Sequence, residues 1–246
     1  MVISIITLAK NCDQKLLKTI KSVNNQKNAN IEHLIIYKNI SKNFNLEKLR
    51  NKKRKFIRNK KSGIYPSLNL GIKKSSGKII GMLHSDDVFY SNDILKKIKV
   101  SFKQKKWDIL YGNIQYINRN NNVIRNWIST KYINFSQIKD GWMPPHTSIF
   151  IQKKIFKNIK YYNENYRISS DYDFIIRSFK NHRIKKFYLN KYITKMMMGG
   201  ESNKNIYNIY KKMHEDFQIL KGNKILNPFL ILIKKNLSKI NQFLNF

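Results

Sequence analysis

Two Ile-rich runs, residues 2–8 and 31–37, enclose Leu16, Leu17, Ile20 and Val23 at helical spacing, and this β-α-β unit constrains the fold more than any other feature of the chain. The unit recurs. Residues 55–58 read as a strand, 66–74 as a helix and 79–83 as a buried strand, the most apolar in the sequence. Ile94, Leu95, Ile98 and Phe102 then mark a further amphipathic helix, followed by a strand over 109–111. Strands alternating with helices predict an α/β fold, a Rossmann-like and mainly parallel sheet with right-handed crossovers and helices on both faces. After Gly112 the pattern changes. Runs 114–117 and 123–127 flank the Asn-rich stretch 118–122 as hairpin arms flank a turn, which predicts an antiparallel addition. Residues 147–151 read as a strand, 171–179 as a helix, and 184–189 and 193–198 as two more strands, with a helical pattern beyond Gly199 and Gly200. With 246 residues, 41% of them hydrophobic, the chain suits one domain, and no internal repeat or long linker divides it.

Forty-nine Lys and Arg stand against 14 Asp and Glu, a net charge of +35. Three partner classes fit such a balance: nucleic acid, an anionic membrane surface and phosphate-bearing substrates. Lys, Asn and Ile are abundant while Ala and Gly are scarce, as an AT-rich coding sequence produces without selection for any ligand, so charge alone does not choose. No zinc-ligand spacing, RNA-binding aromatic motif or helix-turn-helix pattern accompanies it, and no specific nucleic acid is expected. Cys12 is the single cysteine, which excludes an intrachain disulfide and fits a reducing compartment. Residues 2–9 lack the basic flank and cleavage-like site of a signal peptide. The segment ILNPFLILI is broken by Asn227 and Pro228 and falls short of the roughly 20 residues a spanning helix needs. The expected location is cytoplasmic. The basic stretch EKLRNKKRKFIRNKKS and the apolar-basic tail NPFLILIKKNLSKINQFLNF suit peripheral attachment to the inner face of the cell membrane.

Ligands of an open parallel sheet bind beyond the carboxyl ends of its strands. IIGMLHSDDVFY puts Asp86 and Asp87 at such an end. Two adjacent carboxylates there either hold a hard divalent cation, completed by substrate phosphate and water, or form a solvated turn. In YRISSDYDFIIR, Asp171 and Asp173 open a helix, where they either favour its dipole and cap it or supply a general base. Arg177, four residues after Asp173, makes either an i,i+4 pair or a phosphate contact. His146 follows two prolines in WMPPHTSIF, and by itself carries no assignment.

ISIITLAKN, GIYPSLNLGIKKSSGKIIGMLHSDD, PHTSIFIQKKIF, SDYDFIIR and MMMGGESNK, in this order and spacing, resemble the glycosyltransferase family 2 enzymes of bacterial polysaccharide synthesis, which have the GT-A fold. The resemblance covers residues 1–203 and leaves 204–246 as a helical C-terminal extension suited to a membrane surface. Carried across, Ser85, Asp86 and Asp87 match the metal-binding motif, with Asp87 the direct ligand of Mn²⁺ or Mg²⁺, and Asp171 matches the catalytic base. Thr7, Ser85, Tyr37 and Lys61 fall at donor-binding positions, and His146, Arg177 and Asp173 near the diphosphate or acceptor. The implied reaction is inverting transfer of a sugar from a nucleotide donor, a UDP-sugar above others, to a hydroxyl in cell-surface polysaccharide or lipid-linked glycan synthesis. The sequence departs from the family where an Asp usually follows the second strand, at Tyr37; where an acid usually precedes GIY, at Lys60 or Lys61; and at Pro66. Tyr37 there would stack on a base, and Lys61 would meet a phosphate. Two other readings compete with the enzyme: a basic nucleic-acid-binding protein, and a non-catalytic relative that serves as a binding partner.

Overall fold

The protein is described from a computed structural model covering residues 1–42, 44–61, 63–199 and 206–238. The part of MMMGGESNK beyond Gly199 and the last residues of the apolar-basic tail, 239–246, lie outside the described residues.

The first half alternates as the sequence pattern demands: β1 (Val2–Cys12), α1 (Gln14–Asn24), β2 (Asn30–Ile40), β3 (Arg54–Arg58), α2 (Ile64–Lys74) and β4 (Ile79–His84). Asp13 starts α1 by accepting the N–H groups of Lys15 and Leu16 at 3.0 and 3.4 Å, satisfying two donors that have no partner inside the helix. Then come β5 (Val88–Phe89), α3 (Ile94–Lys105), β6 (Ile109–Ile117), β7 (Val123–Trp127), α4 (Ser136–Lys139), β8 (Phe150–Gln152) and α5 (Ile155–Ile159). The chain continues with α6 (Ser170–Lys180), β9 (Lys186–Met197), α7 (Ile206–Gly222) and α8 (Pro228–Leu237).

Among the described residues these strands form one sheet, ordered β3-β2-β1-β4-β8-β6-β9-β5, with β7 also on β6. The β3-β2-β1-β4 half is parallel. β8 runs antiparallel to both β4 and β6 and joins that half to a mixed one, in which β6 and β9 are parallel while β5 and β7 are antiparallel additions. The expected hairpin is β6–β7, and Asn118 Oδ1 builds its turn by accepting the N–H groups of Asn120 and Asn122, both at 3.0 Å.

Two local expectations change. The two strands expected at 184–189 and 193–198 are the single strand β9, whose register against β6 shifts around Gly112. The Leu189 and Lys191 carbonyls bow so close that a Cβ on Gly112 would meet each at 2.9 Å. The polar pair Asn190–Lys191 therefore marks a bulge inside one strand, not a break between two. The strand expected from 147 begins at Phe150, because Ser148 Oγ bonds the Gly112 and Pro145 carbonyls at 2.9 and 2.8 Å and tightens residues 146–148 into a helical turn.

Alternation along the strands divides the core. Ile6, Leu34 and Ile36 face a cluster with Leu68 and Ile72 of α2, Phe174 and Ile176 of α6, and Ile219, Leu220, Ile231 and Leu232 of α7 and α8. Ile3 and Ile5 face Leu95 and Ile98 of α3, while Ala9 and Cys12 face Leu16 and Ile20 of α1. No helix among the described residues is long and apolar enough to cross a membrane.

Candidate active site

β4 is buried along nearly its whole length and ends at His84, from which the chain turns through Ser85 and Asp86. Ser85 N–H donates to the Leu8 carbonyl at 3.1 Å, and Asp86 takes a positive φ of 83°, a region that Asp tolerates better than most residues. Thr19 of α1 locks this turn. Its Oγ1 accepts the Asp86 N–H at 3.0 Å and donates to the Asp87 carbonyl at 2.8 Å.

Asp87 is only 2% exposed. Its Oδ1 accepts the Met197 N–H at 3.1 Å, from the end of β9, while Oδ2 is buried without a hydrogen-bond partner. Burial, reinforced by the neighbouring Asp86 carboxylate, pushes the Asp87 carboxyl up to about 8. Asp86 Oδ1 is likewise buried without a hydrogen-bond partner, and Lys15 and Lys18 of α1 hold their ammonium groups 3.9 Å from the Asp86 carboxylate. Buried acceptors left unpaired are rare and costly. Two of them on adjacent carboxylates, beside two lysines, make a donor set that a hard cation and a phosphate would complete together. Among the described residues no cluster of three or more His, Cys, Asp or Glu could hold a metal alone, so an ion at this pair would need further ligands from substrate and water.

The second acidic centre stands at the start of α6. Asp171 Oδ2 lies 3.4 Å from His146 Nδ1, and Asp171 Oδ1 accepts the Tyr65 hydroxyl at 3.1 Å. That hydroxyl also lies 2.5 Å from the Ile168 carbonyl. His146 Nε2 lies 3.4 Å from His84 Nε2. Burial, with the His146 ring beside it, holds His84 down at about 3, so His84 is neutral at physiological pH. The line Asp171–His146–His84 thus joins α6 to the end of β4, directly before the acidic pair. Tyr116 of β6 senses both centres: burial raises its hydroxyl to about 12, and the Asp87 and Asp171 carboxylates add to the shift.

The structure brings together Ser85, Asp86, Asp87, His146 and Asp171, and gives the other expected residues partners of their own. Asp173 Oδ2 takes Arg177 Nε and Nη2 at 2.8 Å each, and Arg177 also donates to the Ile159 and Tyr161 carbonyls, so this pair ties α6 to the end of α5. Thr7 is fully buried and bonds His33 at 2.9 Å. The Tyr37 ring is 8% exposed and packs edge-on against Phe56 in the α1 cluster. Lys61 is exposed, and its N–H donates to Asn59 Oδ1 at 3.1 Å. Sequence reasoning passed over His84, Tyr65, Thr19, Lys15 and Lys18. His84 had a visible signal, one residue before the SDD triplet, and the two lysines are three apart in the first turns of the helix after β1.

Fold and site together define an α/β domain that sets an acidic pair and two lysines at its strand ends. The chain belongs to glycosyl transferase family 2, whose family model matches residues 4–160. It is 28% identical over 190 residues to an uncharacterized glycosyltransferase of Methanocaldococcus jannaschii, covering 73% of this chain and 65% of that one. It is 27% identical over 139 residues to the Escherichia coli UDP-Glc:alpha-D-GlcNAc-diphosphoundecaprenol beta-1,3-glucosyltransferase, covering 55% of this chain and 54% of that one. The chain thus spans between about half and two thirds of these relatives' lengths. In fold it is similar to S. aureus TarS 1–349, solved in complex with UDP, with a TM-score of 0.68 at 15% identity over 96% of this chain and 71% of that one.

Proposed function

We propose that the chain is an inverting glycosyltransferase that moves a sugar from a nucleotide donor to a glycan or lipid-linked acceptor hydroxyl in cell-surface glycan synthesis. The observation that carries this reading is the pairing of two acidic centres across the strand ends: Asp86 and Asp87 with unsatisfied oxygens, and Asp171 linked to them through His146 and His84. A UDP-sugar is the favoured donor, because the E. coli relative is named for UDP-Glc and the TarS neighbour was solved with UDP. Residues 1–203 would form the transferring domain and 204–246 a C-terminal extension to it.

In this mechanism Asp171 accepts the proton of the acceptor hydroxyl as that oxygen bonds the anomeric carbon and the bond from that carbon to the diphosphate oxygen breaks. Tyr65 and His146 fix the two oxygens of Asp171, so that the base is oriented before substrate arrives. Lys15 and Lys18 stand where the diphosphate would approach Asp86 and offset its charge. Mn²⁺ or Mg²⁺ held by Asp87 and Asp86 would supply Lewis-acid stabilisation of the leaving diphosphate. Placement on the cytoplasmic side accords with a nucleotide-sugar donor.

Calorimetric titration with UDP, GDP, dTDP and CDP, each with Mn²⁺ and with EDTA, tests the reading. Metal-dependent binding of UDP that Asp87→Ala abolishes is the expected result. Binding of none of the four would overturn it.

A further inference from the structure

The C-terminal helices are apolar on a side that nothing in the described structure covers. In α8, Ile231, Leu232 and Lys235 are buried, yet Phe229, Leu230, Ile233 and Leu237 on the opposite side are exposed, Phe229 by 69%. Leu226, just before that helix, is 78% exposed. In α7 the exposed residues Ile206, Ile209, Tyr210 and Met213 follow i, i+3, i+4, i+7 spacing and share one stripe along the first half of the helix, whereas the second half buries Glu215, Asp216, Ile219 and Leu220. Single exposed apolar side chains are ordinary, but helices that each expose several together mark a binding surface.

Charge identifies the occupant. Residues 206–238 contain six lysines and two acids, Glu215 and Asp216, both buried. Lys212 and Lys235 pair with Asp216 and Lys234 with the exposed Asp140, so the face is set by its apolar side chains together with Lys211, Lys221 and Lys224. A second copy carries the same +35 and would be repelled. A surface of anionic lipid accepts both features, since each cation near it contributes about 1 kcal/mol and the apolar side chains enter the headgroup boundary.

We infer that α7 and α8 form a docking face for an anionic bilayer surface, with Phe229, Leu230, Ile209 and Met213 entering the lipid. The contact has a use that rests on the proposed chemistry. Two residues after Met213, Glu215 accepts the N–H groups of Arg167, Ile168 and Ser169 at 2.8–2.9 Å, in the loop that delivers Asp171. The helix that meets the bilayer is thus also the one that braces the loop before the proposed base.

The test is co-sedimentation of the full chain with vesicles of phosphatidylcholine alone and of phosphatidylcholine with phosphatidylglycerol, at low and at high salt. Sedimentation with the anionic vesicles at low salt is expected, and Phe229→Ser with Leu230→Ser should weaken it about 10-fold or more. Ile209→Ser with Met213→Ser should do the same from α7, and circular dichroism should find all variants folded. A chain that stays in the supernatant with anionic vesicles, or folded variants that sediment like the wild type, would overturn the inference. So would a wild-type dimer in analytical ultracentrifugation that the Phe229 and Leu230 substitutions dissociate, because the occupant would then be a second copy. Vesicle binding without any nucleotide binding would sink the proposed chemistry and leave the lipid face standing.

Discussion

Asp171 and Asp87 carry different burdens, and substitutions separate them. Asp171 is held from both sides by His146 and Tyr65, and Asn is nearly isosteric at that place. Asp171→Asn should lower turnover about 10² to 10⁴-fold while leaving UDP affinity within about twofold, as loss of a general base does; steady-state kinetics and calorimetry on one preparation check both halves. Asp87 instead controls a pH dependence. With its folded value near 8 and an ordinary carboxylate value when unfolded, the native state holds a proton that the unfolded chain has released. Stability contributed at this position is therefore lost as pH rises toward 8. His33 and His84, both held near 3, act in the opposite sense, but only below the ordinary histidine value of 6.5. Lys186 and Lys235, lowered to about 8, act above that value. The interval from 6.5 to 8 thus isolates Asp87. Metal-free protein should melt at a lower temperature at pH 8 than at pH 6.5, and Asp87→Asn should flatten that slope and remove the rise in melting temperature that Mn²⁺ gives the wild type. A slope unchanged in Asp87→Asn would assign it to another group.

Elements show why the acids that open α6 were legible in the sequence and their support was not. SDYDFIIR announces a helix with acids in its first turn, and α6 runs from Ser170 to Lys180 as its periodicity requires. Nothing local tells that Glu215, 44 residues beyond Asp171, closes the loop before that helix by accepting three N–H groups, because side-chain pairing across the fold leaves no periodic trace. The same limit hid β5, whose two residues are too few to alternate, and β9, whose bulge imitates a loop. His84 and His146 were readable one at a time but not as a pair, since 62 residues separate them. Glu215→Ala is the corresponding prediction. It leaves three buried or half-buried donors without their carboxylate, each hydrogen bond to a charged group being worth about 1.5–3 kcal/mol. A loss of at least about 3 kcal/mol follows, lowering the melting temperature by roughly 6–12 °C for a chain of this size. Below that temperature kcat should fall more than the donor KM rises, because the displaced loop carries the proposed base and not the proposed diphosphate site.

For the molecule as a whole, the net charge of +35 and the site make opposite claims on an anionic ligand. Any polyanion meets the basic surface, and each phosphate contact releases condensed counterions, so its affinity collapses with salt. A nucleoside diphosphate has few charges to screen, and in the proposed site its grip comes from a cation between its phosphates and two sheltered carboxylates, one fully buried and the other largely so. The two modes therefore separate in one titration series. Between about 50 and about 200 mM salt, affinity for a duplex DNA fragment should fall about 10³-fold or more, whereas affinity for UDP with Mn²⁺ should fall less than about 10-fold. Asp87→Ala should abolish the second and leave the first untouched. DNA affinity that persisted at the higher salt, with UDP binding absent throughout, would reverse the assignment: the charge would be the function, and the acidic pair a turn at the end of β4.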